Sequence, residues 1–72
     1  MTLFAERLKN LRIQTNSKQT DIADILGVQP RTIRFYESGD REPNIDSINK
    51  LADFFNVSTD YLLGRSDNPE RC

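Results

Sequence analysis

Histidine and tryptophan are absent from these 72 residues, and cysteine occurs once, as Cys72. Without histidine there is no imidazole for general acid–base work or for a Cys/His pair, and one thiol cannot assemble a zinc site. The inventory therefore argues against an enzyme and points to no metal, cofactor or small-molecule ligand. Cys72 has no intramolecular partner and is assigned no role. Glycine and proline are scarce, three of each, so each marks a punctuation point and not a flexible run. No apolar stretch approaches the roughly 20 residues of a membrane span, and the N-terminus lacks the basic-then-apolar pattern of a secretory leader. A cytoplasmic location with no membrane partner is expected. A domain of this size buries only roughly 60% of its unfolded surface, which suits a small all-helical bundle and leaves little room for a catalytic cleft.

Net charge alone does not suggest a polyanionic partner, since 10 basic residues face 11 acidic ones. The distribution does. Residues 1–36 hold Arg7, Lys9, Arg12, Lys18, Arg31 and Arg34 against Glu6, Asp21 and Asp24, a balance of +3, whereas residues 37–72 come to −4. Exposed charges act over a Debye length of about 10 Å, so a basic face on an acidic body still displaces phosphate counterions. Taken one at a time, these cations are what any solvated helix face carries, and only their placement singles them out.

The apolar spacing predicts five helices. Phe4, Leu8 and Leu11 repeat behind Thr2 as N-cap, giving a helix over 3–14 with Arg7, Lys9 and Arg12 on its outer face. The polar break Thr15-Asn16-Ser17 supplies Ser17 as cap for a second helix ending at Leu26. A third runs from Pro30 to Ser38, stops at Gly39 and leads into the charged turn Asp40-Arg41-Glu42-Pro43. Asn44 caps a fourth, whose stripe of Ile45, Ile48, Leu51, Ala52 and Phe55 reads as core, with Val57 in the connection that follows. Ser58 and Asp60 open a short fifth helix through Tyr61, Leu62 and Leu63, which Gly64 ends. From Arg65 onward, through Ser66, Asp67, Asn68 and Pro69, no periodicity remains. The expected division is a domain over 1–64 and a flexible tail or the start of a linker over 65–72.

Between the second and third helices the spacing is tight. Ile22, Ala23 and Leu26 share a face, and Ala23 is small enough to let another helix cross closely. Gly27 follows at once, and glycine readily enters the left-handed conformation that stops a helix. Pro30 suits the first turn of the next helix, while Gln29 before it is biased toward extended backbone. Val28, Ile33 and Tyr36 then face inward, which leaves Arg31, Thr32, Arg34 and Phe35 outward or partly so. Two short helices crossing at a tight turn form a helix-turn-helix, and this one presents a face suited to duplex DNA.

Through RLKNLR, KQTDIADILGV, TIRFYESGDREPN, INKLADFFNVS and DYLLG, about Arg7 to Gly64, the chain resembles the phage repressor and Cro-like helix-turn-helix family, the XRE type. The resemblance implies a lambda-repressor-like, all-α five-helix bundle. It also implies a transcriptional regulator, usually a repressor, that binds double-stranded operator DNA as a dimer with its third helix in the major groove. Phage repressor dimers span half-sites about 34 to 36 Å apart. By the same resemblance Gln19 bonds a phosphate at the start of helix two, where free N–H groups and the helix dipole favour an anion, and Lys18 adds charge there. Arg12 and Glu37 match a family pair that bridges helices one and three near the DNA backbone, with Arg12 also within reach of a phosphate. A purely structural bridge is the alternative, since exposed pairs contribute only about 0 to 1 kcal/mol. Arg41 falls in the loop where the family grips phosphate.

Base reading falls to helix three. Arg31 and Arg34 can each offer a fork of donors to guanine O6 and N7, Gln29 can pair with adenine or with phosphate, and Thr32 and Phe35 can pack on a thymine methyl. A phosphate grip for Arg34 and a packing role for Phe35 are the alternatives. Pro30 stands where several relatives carry a polar base-reading side chain, which shifts recognition onto Gln29 and Arg31. For a homodimer on a palindromic site, Asn56, Thr59 and Leu62 are expected at the contact, Leu62 being equally suited to the core.

Two other readings compete. PRTIRFYE also resembles the recognition helix of MerR-type regulators, although a full amphipathic helix precedes the turn here and no MerR-type wing follows Glu37. The acidic second half suggests a protein-interaction module that keeps the fold without binding DNA. Against that stand Arg31 and Arg34, with no carboxylate in the third helix before Glu37.

Overall fold

The computed structural model describes residues 2–70, the side chain of residue 2 excepted, so Cys72 and the side chain of the expected cap Thr2 lie outside the described residues. Five helices follow one another: α1 (Thr2–Gln14), α2 (Gln19–Leu26), α3 (Pro30–Ser38), α4 (Ile45–Phe55) and α5 (Thr59–Leu63). Among the described residues there is no strand, and no helix is long and apolar enough to cross a membrane. The element after α3 is thus a helix and not a wing.

Each helix contributes one apolar stripe to a shared core. Phe4, Leu8 and Leu11 come from α1, Ile22, Ala23 and Leu26 from α2, and Ile33 and Tyr36 from α3. The remainder is Ile48, Leu51, Ala52 and Phe55 of α4, Val57 in the connection, and Leu62 of α5. The i, i+3, i+4 spacing puts these side chains on one face of each helix, where burial removes apolar surface from water at roughly 25 cal/mol per Å². Packing follows from the stripes: α1 lies against α3 and α5, α2 against α3 and α4, and α4 against α5. The Phe4 and Tyr36 rings meet edge to face with centroids 6.4 Å apart, joining α1 to α3.

The caps explain where the helices stop. Gly27 adopts φ 69°, and the N–H groups of Gly27 and Val28 close back on Asp24 and Ala23 carbonyls, which ends α2 and turns the chain within three residues of α3. Asn44 accepts the Ser47 N–H at 2.8 Å at the head of α4, and the Ser58 hydroxyl accepts the Tyr61 N–H at 3.0 Å at the head of α5. Asn56 takes a left-handed φ of 56° to end α4.

Three expectations need correction. Ser17 does not cap α2; the cap position is Lys18, whose N–H donates to the Asp21 carboxylate at 2.9 Å, while the Ser17 hydroxyl pairs with Thr15 at 2.9 Å. An acidic group in the first turn suits the positive end of the helix dipole, and Asp21 provides it. Ile45 is 77% exposed and outside the core. It is the first residue of α4, and side chains lean toward a helix N-terminus, so it projects past the end of the bundle while the stripe begins at Ile48. Arg7 does not lie on the outer face of α1. Its guanidinium sits 4.1 Å from the Tyr61 ring centroid and donates to the carbonyls of Tyr61 and Ser66 at 2.6 and 2.5 Å, and to Asp67 at 2.7 Å. Residues 65–70 run back along α5, where the Ser58 N–H donates to the Pro69 carbonyl at 3.0 Å.

Gly27 and Gly64 separate two reasons for glycine. A Cβ on Gly27 meets nothing within 4 Å, so Gly27→Ala incurs only the left-handed backbone penalty, about 1–2 kcal/mol. A Cβ on Gly64 would lie 2.6 Å from the Leu3 Cβ, because the end of α5 abuts the start of α1. Overpacking adds about 1–3 kcal/mol to the same backbone penalty. Urea unfolding should therefore rank Gly64→Ala as clearly the more destabilising; equal losses would contradict the close approach of α5 to α1.

Candidate nucleic-acid interface

The turn at Gly27 sets the outward face of α3. With Ile33 and Tyr36 buried, Arg31 and Arg34 are exposed, and Thr32 and Phe35 are half-buried between the two faces. Gln29 is the N-cap residue of α3 but makes no side-chain capping bond, which leaves its amide at the surface beside Pro30 at the first position. The residues expected to read bases thus lie along one end and one side of a single helix.

Beside them, Glu37 joins three helices. Its carboxylate accepts from Arg12 Nε at 2.6 Å and Arg12 Nη2 at 3.1 Å, a two-pronged pairing of α1 with α3. Gln19 Nε2 of α2 donates to the same carboxylate at 3.3 Å, and Arg12 Nη1 reaches the Ser17 carbonyl at 3.3 Å. The pair is shielded, with the Glu37 side chain 6% and the Arg12 side chain 18% exposed. A partly shielded, two-pronged ion pair is stronger than the weak surface type, and removing one partner leaves the other partly desolvated and unmatched. The expected bridge is therefore present, and Gln19 is part of it.

Pairing raises the Arg12 guanidinium above its ordinary pKa, chiefly through the hydrogen bond to Glu37, with burial opposing and the Glu37 charge assisting. A base raised in this way contributes stability in full below its unfolded pKa, and that contribution fades only as pH climbs through the folded value. Arg12 accordingly stays cationic throughout the neutral range.

Lys9, Arg12, Gln19, Arg34, Glu37 and Ser38 line one open groove between α1, α2 and α3. Arg12 and Glu37 offset each other in their ion pair, so the net positive charge of the groove comes from Lys9 and Arg34. The sequence places Lys9 on the outer face of α1 with Arg12 but assigns no contact to it or to Ser38; its position three residues before Arg12 on the same helix face is the signal that could have assigned it. Lys18 is exposed at the head of α2. Arg41, in the loop after α3, lies over the Phe35 ring at 5.0 Å from its centroid. The dimer expectation needs one correction: Leu62 is 0% exposed, so it belongs to the core of the monomer and offers nothing to a partner. Asn56 is exposed and Thr59 half-buried at the α4–α5 connection.

Residues 8–62 match the HTH_3 family model, described as helix-turn-helix. Over 61 residues the chain is 39% identical to the SPbeta prophage-derived HTH-type transcriptional regulator YonR of Bacillus subtilis, a match covering 85% of this chain and 56% of that protein. A crystal structure of a transcriptional regulator from Listeria innocua superimposes with a TM-score of 0.83 at 41% identity, covering 85% of this chain and 57% of that one. The P22 c2 repressor protein in complex with synthetic operator 9T superimposes with a TM-score of 0.78 at 27% identity, covering 86% of this chain and 94% of that one. The chain spans about half the length of the curated relatives it matches.

Replacing Glu37 by glutamine keeps the shape of the node and removes its charge. Glu37→Gln should lower stability by about 1–3 kcal/mol, because Arg12 is then left partly buried without a counter-charge. Urea denaturation checks this, and a loss below roughly 0.5 kcal/mol would mean that the bridge behaves as an exposed pair.

Proposed function

Because the chain belongs to the HTH_3 helix-turn-helix family, we propose that residues 1–64 bind double-stranded DNA sequence-specifically, as a transcriptional regulator that acts as a repressor in the cytoplasm. The reading is carried by the outward pairing of Arg31 and Arg34 on a helix whose only carboxylate, Glu37, is taken up by Arg12 and Gln19. No other carboxylate lies in α3 to repel a phosphate backbone, and the P22 c2 repressor, solved with an operator, shares the fold.

In this reading α3 lies in the major groove. Arg31 forks onto guanine O6 and N7, Gln29 meets an adenine at the head of the helix, and Thr32 contacts a thymine methyl. Arg34 stands at the border of the basic groove, where either a guanine or a phosphate is in reach. Lys18, Gln19, Arg12 and Arg41 hold phosphates on either side. Fixing Arg12 and Gln19 on Glu37 before DNA arrives removes part of the ordering cost that free side chains would incur on binding. The net charge of −1 is no obstacle, because the basic groove acts at contact range while more distant acids are screened.

A two-fold operator requires a self-complementary contact between two copies. We place it at the α4–α5 connection, with Asn56 and Thr59 at its centre and the 43% exposed ring of Phe54 beside them. Sedimentation should give a dimer on a palindromic duplex; a monomer both free and bound would rule this contact out.

Duplex titration across a salt series tests the binding itself. Affinity should fall steeply as salt rises, since each neutralised phosphate releases counterions. No affinity at low salt, or affinity with no salt slope, would overturn the proposal. Arg31→Ala should cost about 1–3 kcal/mol on the preferred site and relax preference at one base pair, whereas Lys18→Ala should weaken all duplexes alike. Equal loss on preferred and random DNA for Arg31→Ala would remove it as a reader.

A further inference from the structure

Arg41 is the single cation in the loop between α3 and α4, set between Asp40 and Glu42. A side chain in such company reaches a phosphate only if something directs it away from its acidic neighbours. Two contacts to one residue do so. The Arg41 N–H donates to the Phe35 carbonyl at 3.3 Å, and the Arg41 guanidinium lies over the Phe35 ring, 5.0 Å from its centroid. That distance is within the range of a cation–π attraction.

The surrounding loop is held as firmly. The Asp40 N–H donates to the same Phe35 carbonyl at 3.0 Å, and the Ser38 hydroxyl reaches that carbonyl at 3.0 Å and the Asp40 carboxylate at 2.9 Å. Pro43 is buried, which anchors the far end of the loop. Phe35 itself is half-buried, and its ring is already in contact with Arg41.

Resting on the DNA-binding reading above, we propose that Phe35 is a positioning residue: it holds the Arg41 guanidinium beside α3, ready for a backbone phosphate, and does not read a base. A long, flexible side chain held on a ring loses less freedom on binding than a free one. The benefit is independent of DNA sequence, because phosphates carry no sequence information.

Two measurements test this. In the free protein, proton NMR of the Arg41 δ-methylene should show an upfield ring-current shift that persists in Phe35→Tyr and disappears in Phe35→Leu. In duplex titration, Phe35→Leu should weaken every sequence equally, by about 2- to 5-fold, with the salt slope nearly unchanged. Arg41→Ala should lower the slope by about 1, the double variant Phe35→Leu/Arg41→Ala should be no weaker than Arg41→Ala, and Phe35→Tyr should restore binding. A loss confined to one base pair, a full additional loss in the Arg41→Ala background, or a Tyr variant as weak as Leu would each overturn the assignment. An Arg41 shift that survives in Phe35→Leu overturns it as well. If the wild-type chain binds no duplex, the DNA-binding reading fails and the phosphate role falls with it, while the NMR shift still decides the stack on its own.

Discussion

The close crossing of α2 and α3 decides what the rest of the molecule presents. Two helices separated by so short a turn must meet at a small side chain, and Ala23, buried at that crossing, allows it. The chain must also reverse at once, which the left-handed backbone of Gly27 permits. Once the crossing is set, the rotation of α3 is no longer free. Ile33 and Tyr36 must point into the core, so Arg31 and Arg34 must point out. The candidate reading face is thus a consequence of packing as much as of the basic residues placed on it.

Electrostatics then hold that face in shape. Glu37 is an acid at the inner edge of a basic helix, and left alone it would oppose a polyanion. Bound by Arg12 and Gln19, it becomes the point at which α1, α2 and α3 are tied together. Arg12 keeps its charge throughout the neutral range. The outer loop repeats the principle on a smaller scale, with Phe35 in place of a carboxylate and Arg41 as the group that is held.

Much of this was legible from residue spacing. The limits of α3, the caps at Asn44 and Ser58 and the stops at Gly27, Gly39 and Gly64 all follow from local backbone chemistry, which sequence records directly. Apart from the α2 cap, which a neighbouring residue decides, the differences arise where tertiary context overrides a local signal. Ser17 has the side chain of a cap, but α2 begins one residue later, with Lys18 at the cap position and its own N–H donated to the Asp21 carboxylate. Ile45 carries the period of the α4 stripe, yet lies beyond the end of the core it would have joined. Leu62 suits either the core or a dimer contact by its spacing, and the fold buries it in the monomer. Arg7 and Arg12 share a helix and a charge, but one is drawn over Tyr61 and the other onto Glu37. Partners far apart in the chain decide such cases, and no local window contains them.

The role proposed for α3 is to read a DNA sequence. Repeated selection of bound duplexes from a random pool tests it most directly. Binding through Arg31 and its neighbours, by two copies of the chain, predicts one enriched sequence with two-fold related half-sites about one helical turn apart and guanine at a defined position in each. A pool that stays random through successive rounds would rule out sequence reading by α3.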